Sequence, residues 1–411
     1  MDQSTQDRIR SEMEWEAARK APPEGFPALP PIAAARYTDP SFLELEIERI
    51  FRRSWLAAIR VEELESSGSF VVWDKVGVPV LIVRGKDDVV RAFHNSCRHR
   101  GAAVTPAARG RGSLLRCQYH SWSYDLTGRL VAVPDEQDFC GLDKSANGLI
   151  PIRCETWGGW VFVNLDDEAG PLMQQIGPTV GEWGDIDVST LRVVQNQTSL
   201  LDCNWKAALD AFQEVYHINT IHRDSIGKAL NSRACSIGLL PGGHSRMVVR
   251  YHPWALETLG MDSPDTPSIP GALDMHRDTS TAYFTFPNLV TPIRSIFIQF
   301  MQFWPRGVGQ CEMQVTGLGP GWGDGPRPDY WDRAAPAFAK VLDEDMANLG
   351  SIQRSLSSGA LDGVRLSYQE RRIYWAHEAI DRAIGADSIP PGLAVSPLLS
   401  TFAEQPVATA H

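Results

Sequence analysis

The sequence predicts an α+β protein of two domains, and three observations carry that expectation. The chain has 411 residues, too many for one simple core and few for three. From about 57 to 165, short apolar runs rich in β-branched residues alternate with Gly and Asp turns, the texture of an antiparallel β domain. From about 170 onward, helix-like and strand-like segments mix, which predicts helices laid on a larger antiparallel sheet. The expected divisions are 1–44, an N-terminal helical segment that packs with the second domain, then 45–165 and 166–411.

The elements follow in order. Residues 1–20 suit a short helix, and APPEGFPALPPIAA (21–34) suits an extended connector because of its prolines. Asp39 is an N-cap candidate with Pro40 at the first helical position, and Leu43, Ile47, Ile50 and Phe51 fall on one face. The runs SFVVWDKVG, VPVLIVRG, VVRAFHN, SLLRCQYHSWSYDLTGRLV and GGWVFVNLD supply the strands of the β domain. Beyond it, 204–218 reads as helix and 244–252, 281–290, 294–304 and 310–318 as strands. GLGPGWGDGPRPD (317–329) is a Gly/Pro loop, 331–358 and 366–385 read as helices, and 394–411 is expected to fray.

Bulk properties exclude some functions. A net charge of -11 repels phosphate backbones, so nucleic acid is not an expected partner. The strongest apolar run, VGVPVLIV (76–83), is far short of the ~20 residues a membrane span needs. The N-terminus lacks the apolar core of a signal peptide, so a cytoplasmic location is expected. The seven cysteines do not form a disulfide pattern. Cys140, Cys154, Cys203, Cys235 and Cys311 read as buried free thiols. His94, His244, His252, His276 and His377 lack ligand spacing and read as structural or exposed.

Two short stretches carry chemistry. HNSCRHRGAAV (94–104) and LRCQYHSWSY (115–124) give Cys97-x-His99, seventeen residues, then Cys117-x-x-His120. Two thiolates and two imidazoles suit either one tetrahedral zinc or a two-iron cluster with both Cys on one iron and both His on the other. Each loop supplies one Cys and one His, aromatic residues flank the second pair, and the host is a large β domain. These details favour the cluster.

The boxes CRHRG and CQYHSW resemble those of Rieske-type ring-hydroxylating oxygenase α subunits. That family usually reads CPYHGW in the second box; Gln118 and Ser121 stand here for its Pro and Gly. Neither box has the extra cysteine of respiratory Rieske proteins, so the resemblance implies a [2Fe–2S] cluster near the low end, ~-150 mV, of the Rieske range. It also implies a helix-grip (START-like) fold for 166–411, a mononuclear non-haem Fe(II) in it, and membership of a multicomponent oxygenase. Electrons would come from NAD(P)H through a reductase and, in some systems, a ferredoxin. The stretch GLGPGWGDG lacks the strand–GxGxxG–helix context of a nucleotide site, in keeping with a separate reductase.

NWKAALDAFQEVYHINTIH (204–222) is the candidate iron segment. Glu214 and His217 would share a helix face, whereas His217 and His222 would lie about 140° apart. They converge only if the helix ends or bulges between them. The third ligand of a 2-His-1-carboxylate face is sought in VLDEDMANLGSIQRSL (341–356), among Asp343, Glu344 and Asp345. Asp345 best matches the family's ligand, in a pattern resembling ED-x7-Q that ends at Gln353, with Glu344 as runner-up.

By the same resemblance Glu214 is no ligand. It bridges His217 to a cluster histidine of the neighbouring subunit, because the two metals of one chain lie too far apart, which implies a head-to-tail ring, normally a homotrimer. Asp210 could join that bridge or be structural, and an accompanying β subunit is left open. Phe212, Phe284, Phe286, Phe297, Phe300 and Phe303 are candidate pocket residues. FIQFMQFW (297–304) puts Phe297, Gln299, Met301 and Phe303 on one strand face. No Arg or Lys is tied to the pocket by spacing, so the expected substrate is apolar, aromatic and not a carboxylate. Hydroxylation or dihydroxylation is the expected reaction, with N- or O-dealkylating monooxygenation as the alternative. A non-catalytic electron-transfer or zinc protein is the competing class.

Overall fold

A computed structural model describes residues 1–258 and 268–404. The chain divides into two compact units: Phe51–Leu172, and Met1–Ile50 joined to the chain from Met173 onward. Among the described residues no helix is long and apolar enough to cross a membrane.

The unit Phe51–Leu172 holds a seven-stranded antiparallel sheet in the order Leu56–Arg60, Trp160–Asn164, Pro151–Trp157, Val90–His94, Val80–Arg84, Ser69–Trp73, Arg109–Arg111. A three-stranded sheet, Leu115–Arg116, Ser123–Tyr124 and Leu130–Ala132, lies in the same unit. Leu81, Val83, Phe93, Trp122 and Tyr124 form one core with Cys97 and Cys117. The first Cys/His loop follows Val90–His94, and the second joins Leu115–Arg116 to Ser123–Tyr124.

The two loops use one hydrogen-bond pattern. The Cys97 N–H donates to the Ala102 carbonyl (2.8 Å) and Gly101 N–H to the Cys97 carbonyl (2.9 Å). In the second loop Cys117 N–H donates to Trp122 and Ser121 N–H to Cys117, both at 2.9 Å. This pattern requires left-handed backbone four residues past each cysteine, at Gly101 (φ 75°) and Ser121 (φ 59°). Glycine adopts that region freely, whereas a Cβ there costs on the order of 1 kcal/mol.

The other unit is built on a seven-stranded antiparallel sheet: Arg192–Leu201, Gln310–Gly319, Ile298–Gly307, Leu289–Ile293, Thr279–Thr285, Ser245–Tyr251, Leu230–Leu239. The expected strand 281–290 turns at 286–288, where Pro287 cannot donate to a ladder, and so forms two strands. Strands Arg192–Leu201 and Leu230–Leu239, at the sheet edges, were not read from the sequence. Ile9 and Met13 of the helix Gln3–Ala18 pack with Ala234, Val248 and Met275 on one sheet face. The helices Trp205–Ala211, Tyr330–Ser357 and Arg371–Ile384 complete the fold. The connector 21–34 ends in a short strand, Ile32–Ala33, paired with Gly363–Val364.

Three further local expectations need correction. The helix expected over 204–218 stops at Ala211. The Glu214 carboxylate takes the backbone N–H groups of Tyr216 and His217, which competes with helical bonding there. Cys140 is exposed and Cys154 only partly buried, while Cys203, Cys235 and Cys311 are buried. The tail 394–404 is tied down: Val395 N–H bonds Asp381, Leu398 and Leu399 N–H bond Glu378, and Glu404 pairs with Arg246. The rest of the expected frayed stretch, 405–411, lies outside the described residues.

Asp39 caps the helix Pro40–Glu46 by accepting from Ser41 N–H. That helix delivers Glu46 to Lys206 (2.8 Å) and to the Trp205 indole N–H (2.9 Å), with Glu46 and Lys206 both at most 1% exposed. Burial pushes the Lys206 ammonium below its ordinary pKa, and Glu46 opposes that shift. Breaking such a pair strands a buried charge. Lys206→Met should therefore lower unfolding free energy by about 3–5 kcal/mol in denaturant melts, while Lys206→Met with Glu46→Leu stays near the parent value. For the second loop, Ser121→Gly should raise it by roughly 1 kcal/mol in the same melts, relieving the left-handed strain.

Candidate metal centres

At the tips of the β unit, the four Cys/His side chains sit together. The Cys97 thiol is 3.3 Å from the Tyr124 hydroxyl, which also accepts the Arg98 N–H at 3.0 Å. The His99 ring stacks on Trp122 (centroids 5.0 Å, 9° between planes) and stands 4.6 Å from the His120 ring. His99 Nδ1 is buried without a hydrogen-bond partner. Burial pushes the Cys97 thiol up, so a thiolate there needs a bound cation.

Among the described residues, one set of three or more His, Cys, Asp or Glu has ligand atoms all within 4.8 Å of one another, and it lies in the other unit. The four donors of the loops do not form such a set. One tetrahedral zinc would gather its donors to roughly 4 Å of each other, from bond lengths of about 2.0–2.3 Å. Wider spacing, two thiolates, two imidazoles and the orphaned Nδ1 fit a two-iron cluster instead.

The set within 4.8 Å is His217, His222 and Asp345. A one-turn helix, Ile218–Ile221, separates the two histidines, which stand at its two ends. The rings are 5.2 Å apart. The five-residue spacing that an unbroken helix would splay thus converges because the helix ends on both sides. Asp345 comes from the buried face of the long helix Tyr330–Ser357, alongside Leu342, Leu349, Gln353 and Leu356. Its Oδ1 lies 2.9 Å from His222 Nε2 and 3.5 Å from His217 Nε2.

Carboxylates hold the outer nitrogens. Glu214 Oε1 contacts His217 Nδ1, and Glu344 Oε2 is 2.8 Å from His222 Nδ1. Both rings therefore turn Nε2 inward, the arrangement that carboxylates bonded to the outer ring nitrogens enforce at metal sites. Glu344, the runner-up ligand, holds the His222 ring from outside and accepts from the Ser225 hydroxyl; Asp343 is exposed. Burial alone would lower the pKa of His222, but hydrogen bonds to Asp345 and Glu344 outweigh it and raise it. Burial would raise Glu344, yet His222 and Ser225 hold it below the usual carboxylate range. Three carboxylates around two imidazoles make a site that attracts a hard or borderline cation.

Asp210 joins a buried network. Its Oδ2 accepts from the Tyr37 hydroxyl at 2.8 Å, and Tyr37 is 3.0 Å from His377 Nε2. Arg36 Nε donates to His377 Nδ1 at 3.0 Å, which puts the His377 proton on Nε2. Burial pushes the Asp210 carboxyl up to about 7 and His377 well down. Neither Tyr37 nor the link through His377 was foreseen, because no local spacing joins residues so distant in sequence. Gln353, the end of the ED-x7-Q pattern, accepts the Asn204 N–H (2.7 Å) and ties the long helix to the start of Trp205–Ala211.

A cleft of about 240 Å³ borders the site, lined by Tyr37, Asp210, Glu214, His217, Asp345 and aliphatic residues such as Ile352 and Ile373. None of Phe212, Phe297, Gln299, Met301 or Phe303 lines it. Phe297 packs on Phe338 of the long helix, and Phe303 on Phe212 (centroids 4.6 and 5.4 Å). Phe300 lies 6.1 Å from Trp183, Phe284 faces Phe286, and Gln299 bonds Gln195. Met301 is 2% exposed in the sheet.

Comparison with known proteins agrees with this geometry. Residues 54–148 match the Rieske [2Fe-2S] domain, and 188–386 match the ring hydroxylating alpha subunit (catalytic domain). The chain is 32% identical over 292 residues to 2-aminobenzenesulfonate 2,3-dioxygenase subunit alpha of Alcaligenes sp, covering 69% of this chain and 73% of that protein. It is 32% identical over 207 residues to the carnitine monooxygenase oxygenase subunit of Escherichia coli K12, covering 49% of this chain and 55% of the other. In fold it resembles a quaternary ammonium Rieske monooxygenase (TM-score 0.74, 20% identity, 90% of this chain and 100% of that one). It also resembles naphthalene 1,2-dioxygenase from Rhodococcus sp. (TM-score 0.70, 21% identity, 94% and 100%). A Rieske cluster and a non-haem iron are the metal groups that go with these domains. The chain belongs to the Rieske non-haem iron oxygenases, as a ring-hydroxylating α (oxygenase) subunit.

Proposed function

We propose that this chain is the oxygenase component of a multicomponent system that takes electrons from NAD(P)H through a reductase, with or without a ferredoxin. It would use dioxygen to hydroxylate or dihydroxylate an apolar, aromatic organic compound. The observation that carries this reading is the convergence of His217, His222 and Asp345 within 4.8 Å, on a chain that also bears the paired Cys/His loops.

In this reading Cys97, His99, Cys117 and His120 hold the cluster, and His217, His222 and Asp345 hold the mononuclear iron. When bound, these groups relay single electrons and reduce dioxygen beside the substrate. Glu214 keeps a proton on His217 Nδ1 and so fixes Nε2 toward the centre, as Glu344 does for His222. Glu214 would also bridge His217 to His99 or His120 of a neighbouring copy, in a head-to-tail ring of three. The exposed Tyr119 beside His120 suits such a contact. Asp210 would position rather than bridge, through Tyr37 and His377. Residues 1–44 would serve the catalytic domain of 166–411, and 45–165 the electron relay.

Oxidative dealkylation remains the second outcome for the same site, favoured by similarity to carnitine and glycine betaine monooxygenase oxygenase subunits. Product analysis separates the two: formaldehyde marks demethylation, and a cis-diol marks dihydroxylation. His217→Ala should abolish substrate-dependent oxygen uptake with a surrogate reductase while retaining the Rieske electron-resonance signal. Uptake persisting in that variant refutes the assignment.

A further inference from the structure

A buried, uncompensated cation stands beside the iron segment. Arg372 opens the helix Arg371–Ile384 and is 0% exposed. Its Nε donates to the Ser245 hydroxyl at 2.9 Å and one Nη donates to the Ala282 carbonyl at 3.2 Å. The other Nη is buried without a partner. The neighbouring arginines are neutralised: Arg246 by Glu182 and Glu404, Arg371 by Glu16. Arg372 pairs with no carboxylate among the described residues. Burial pushes even its guanidinium down to about 9. Leaving such a charge unpaired in a protein interior is costly, so folding stability alone does not account for it.

Its location says what could compensate it. Ser245, Met247, Val249 and Tyr251 alternate onto one face of their strand. Met247, Val249, Tyr251, Ala282 and Cys235 pack there with Val215 and Ile218, which flank His217. The opposite face is covered by the N-terminal helix. Arg372 thus reaches the sheet face against which the iron-bearing segment packs, and its neighbour Ile373 lines the cleft at His217 and Asp345.

One more buried polar group of that cluster lacks a partner, the Tyr251 hydroxyl. An unpaired guanidinium nitrogen and an unpaired hydroxyl at one apolar cluster match a ligand with an apolar body and a polar head.

We infer that Arg372 binds an anionic group of the substrate, a carboxylate or sulfonate on an otherwise apolar, aromatic molecule. The free N–H of a planar fork is suited to two-oxygen anions. Spacing alone ties no Arg or Lys to the substrate region; burial beside the iron segment does. This inference rests on the oxygenase reading for its choice of site.

The test is calorimetric titration and thermal melting of the full, metal-loaded chain with benzoate, benzenesulfonate and the neutral isostere benzamide. Benzoate or benzenesulfonate should bind and raise Tm, with benzamide much weaker; which anion prevails identifies the head group. Arg372→Met should weaken anion binding roughly ten- to hundredfold, without lowering the Tm of the ligand-free protein. Equal binding of benzamide and benzoate, no anion binding at all, or unchanged benzoate binding in Arg372→Met would overturn the inference. Should Arg372→Met fail to fold, the anion–amide comparison on the parent chain decides alone. His217→Ala should keep anion binding. Anion binding without oxygen uptake in the parent chain would sink the oxygenase reading and leave this one standing.

Discussion

Two imidazoles can serve one cation only if both turn the same kind of nitrogen inward, and here carboxylates impose that orientation. Glu214 takes His217 Nδ1 and Glu344 takes His222 Nδ1, which leaves both Nε2 atoms facing Asp345. The rest of the catalytic unit can be understood as the means of holding that arrangement. The helix Trp205–Ala211 has to stop early, so that Glu214 can bond backbone N–H groups and swing His217 around. The long helix has to lie with Asp345 buried, and Gln353 fastens it to Asn204. An excess of negative charge remains at the centre, and a divalent cation relieves it.

The same unit carries an unusual load of buried charge away from the metal donors. Glu46 with Lys206, Arg246 with Glu182 and Glu404, and Arg36 with Asp381 are ion pairs in which at least one partner is essentially inaccessible. Such pairs add little net stability but fix geometry, since shifting any one element strands a charge. They join the N-terminal segment to the helices Trp205–Ala211 and Arg371–Ile384, and the tail to the sheet. Arg372 departs from that pattern, and the departure falls on the sheet face nearest the iron segment.

Much of the site was legible in the sequence, for physical reasons that differ by residue. The Cys97/His99 and Cys117/His120 boxes were legible because cluster ligands sit on short loops with fixed internal spacing. Asp345 was narrowed from three adjacent acids by the resemblance, and burial separates it from Asp343, which helical periodicity alone does not do. The His217–His222 spacing signalled a break in the helix but not its form: two ends of one turn rather than a bulge. Hidden entirely were the partners supplied by distant segments, namely Tyr37 and His377 around Asp210, and Ser245 and Ala282 around Arg372. Alternation was read as putting Phe297 and Phe303 on one strand face, but the strand begins at Ile298; Phe297 packs on Phe338 and Phe303 on Phe212, and alternation does not distinguish a packed face from a pocket wall. The edge strands Arg192–Leu201 and Leu230–Leu239 escaped because polar and small residues interrupt their apolar pattern.

The central claim is that one chain holds two separate iron stations, each with its own donors. Iron, zinc and acid-labile sulfide counted on purified chain test it most directly, in the parent and in Asp345→Ala. The account predicts roughly three irons and two sulfides per chain, dropping to roughly two irons with sulfide unchanged in the variant. Zinc without sulfide in the parent, or an iron count that Asp345→Ala leaves untouched, would contradict it.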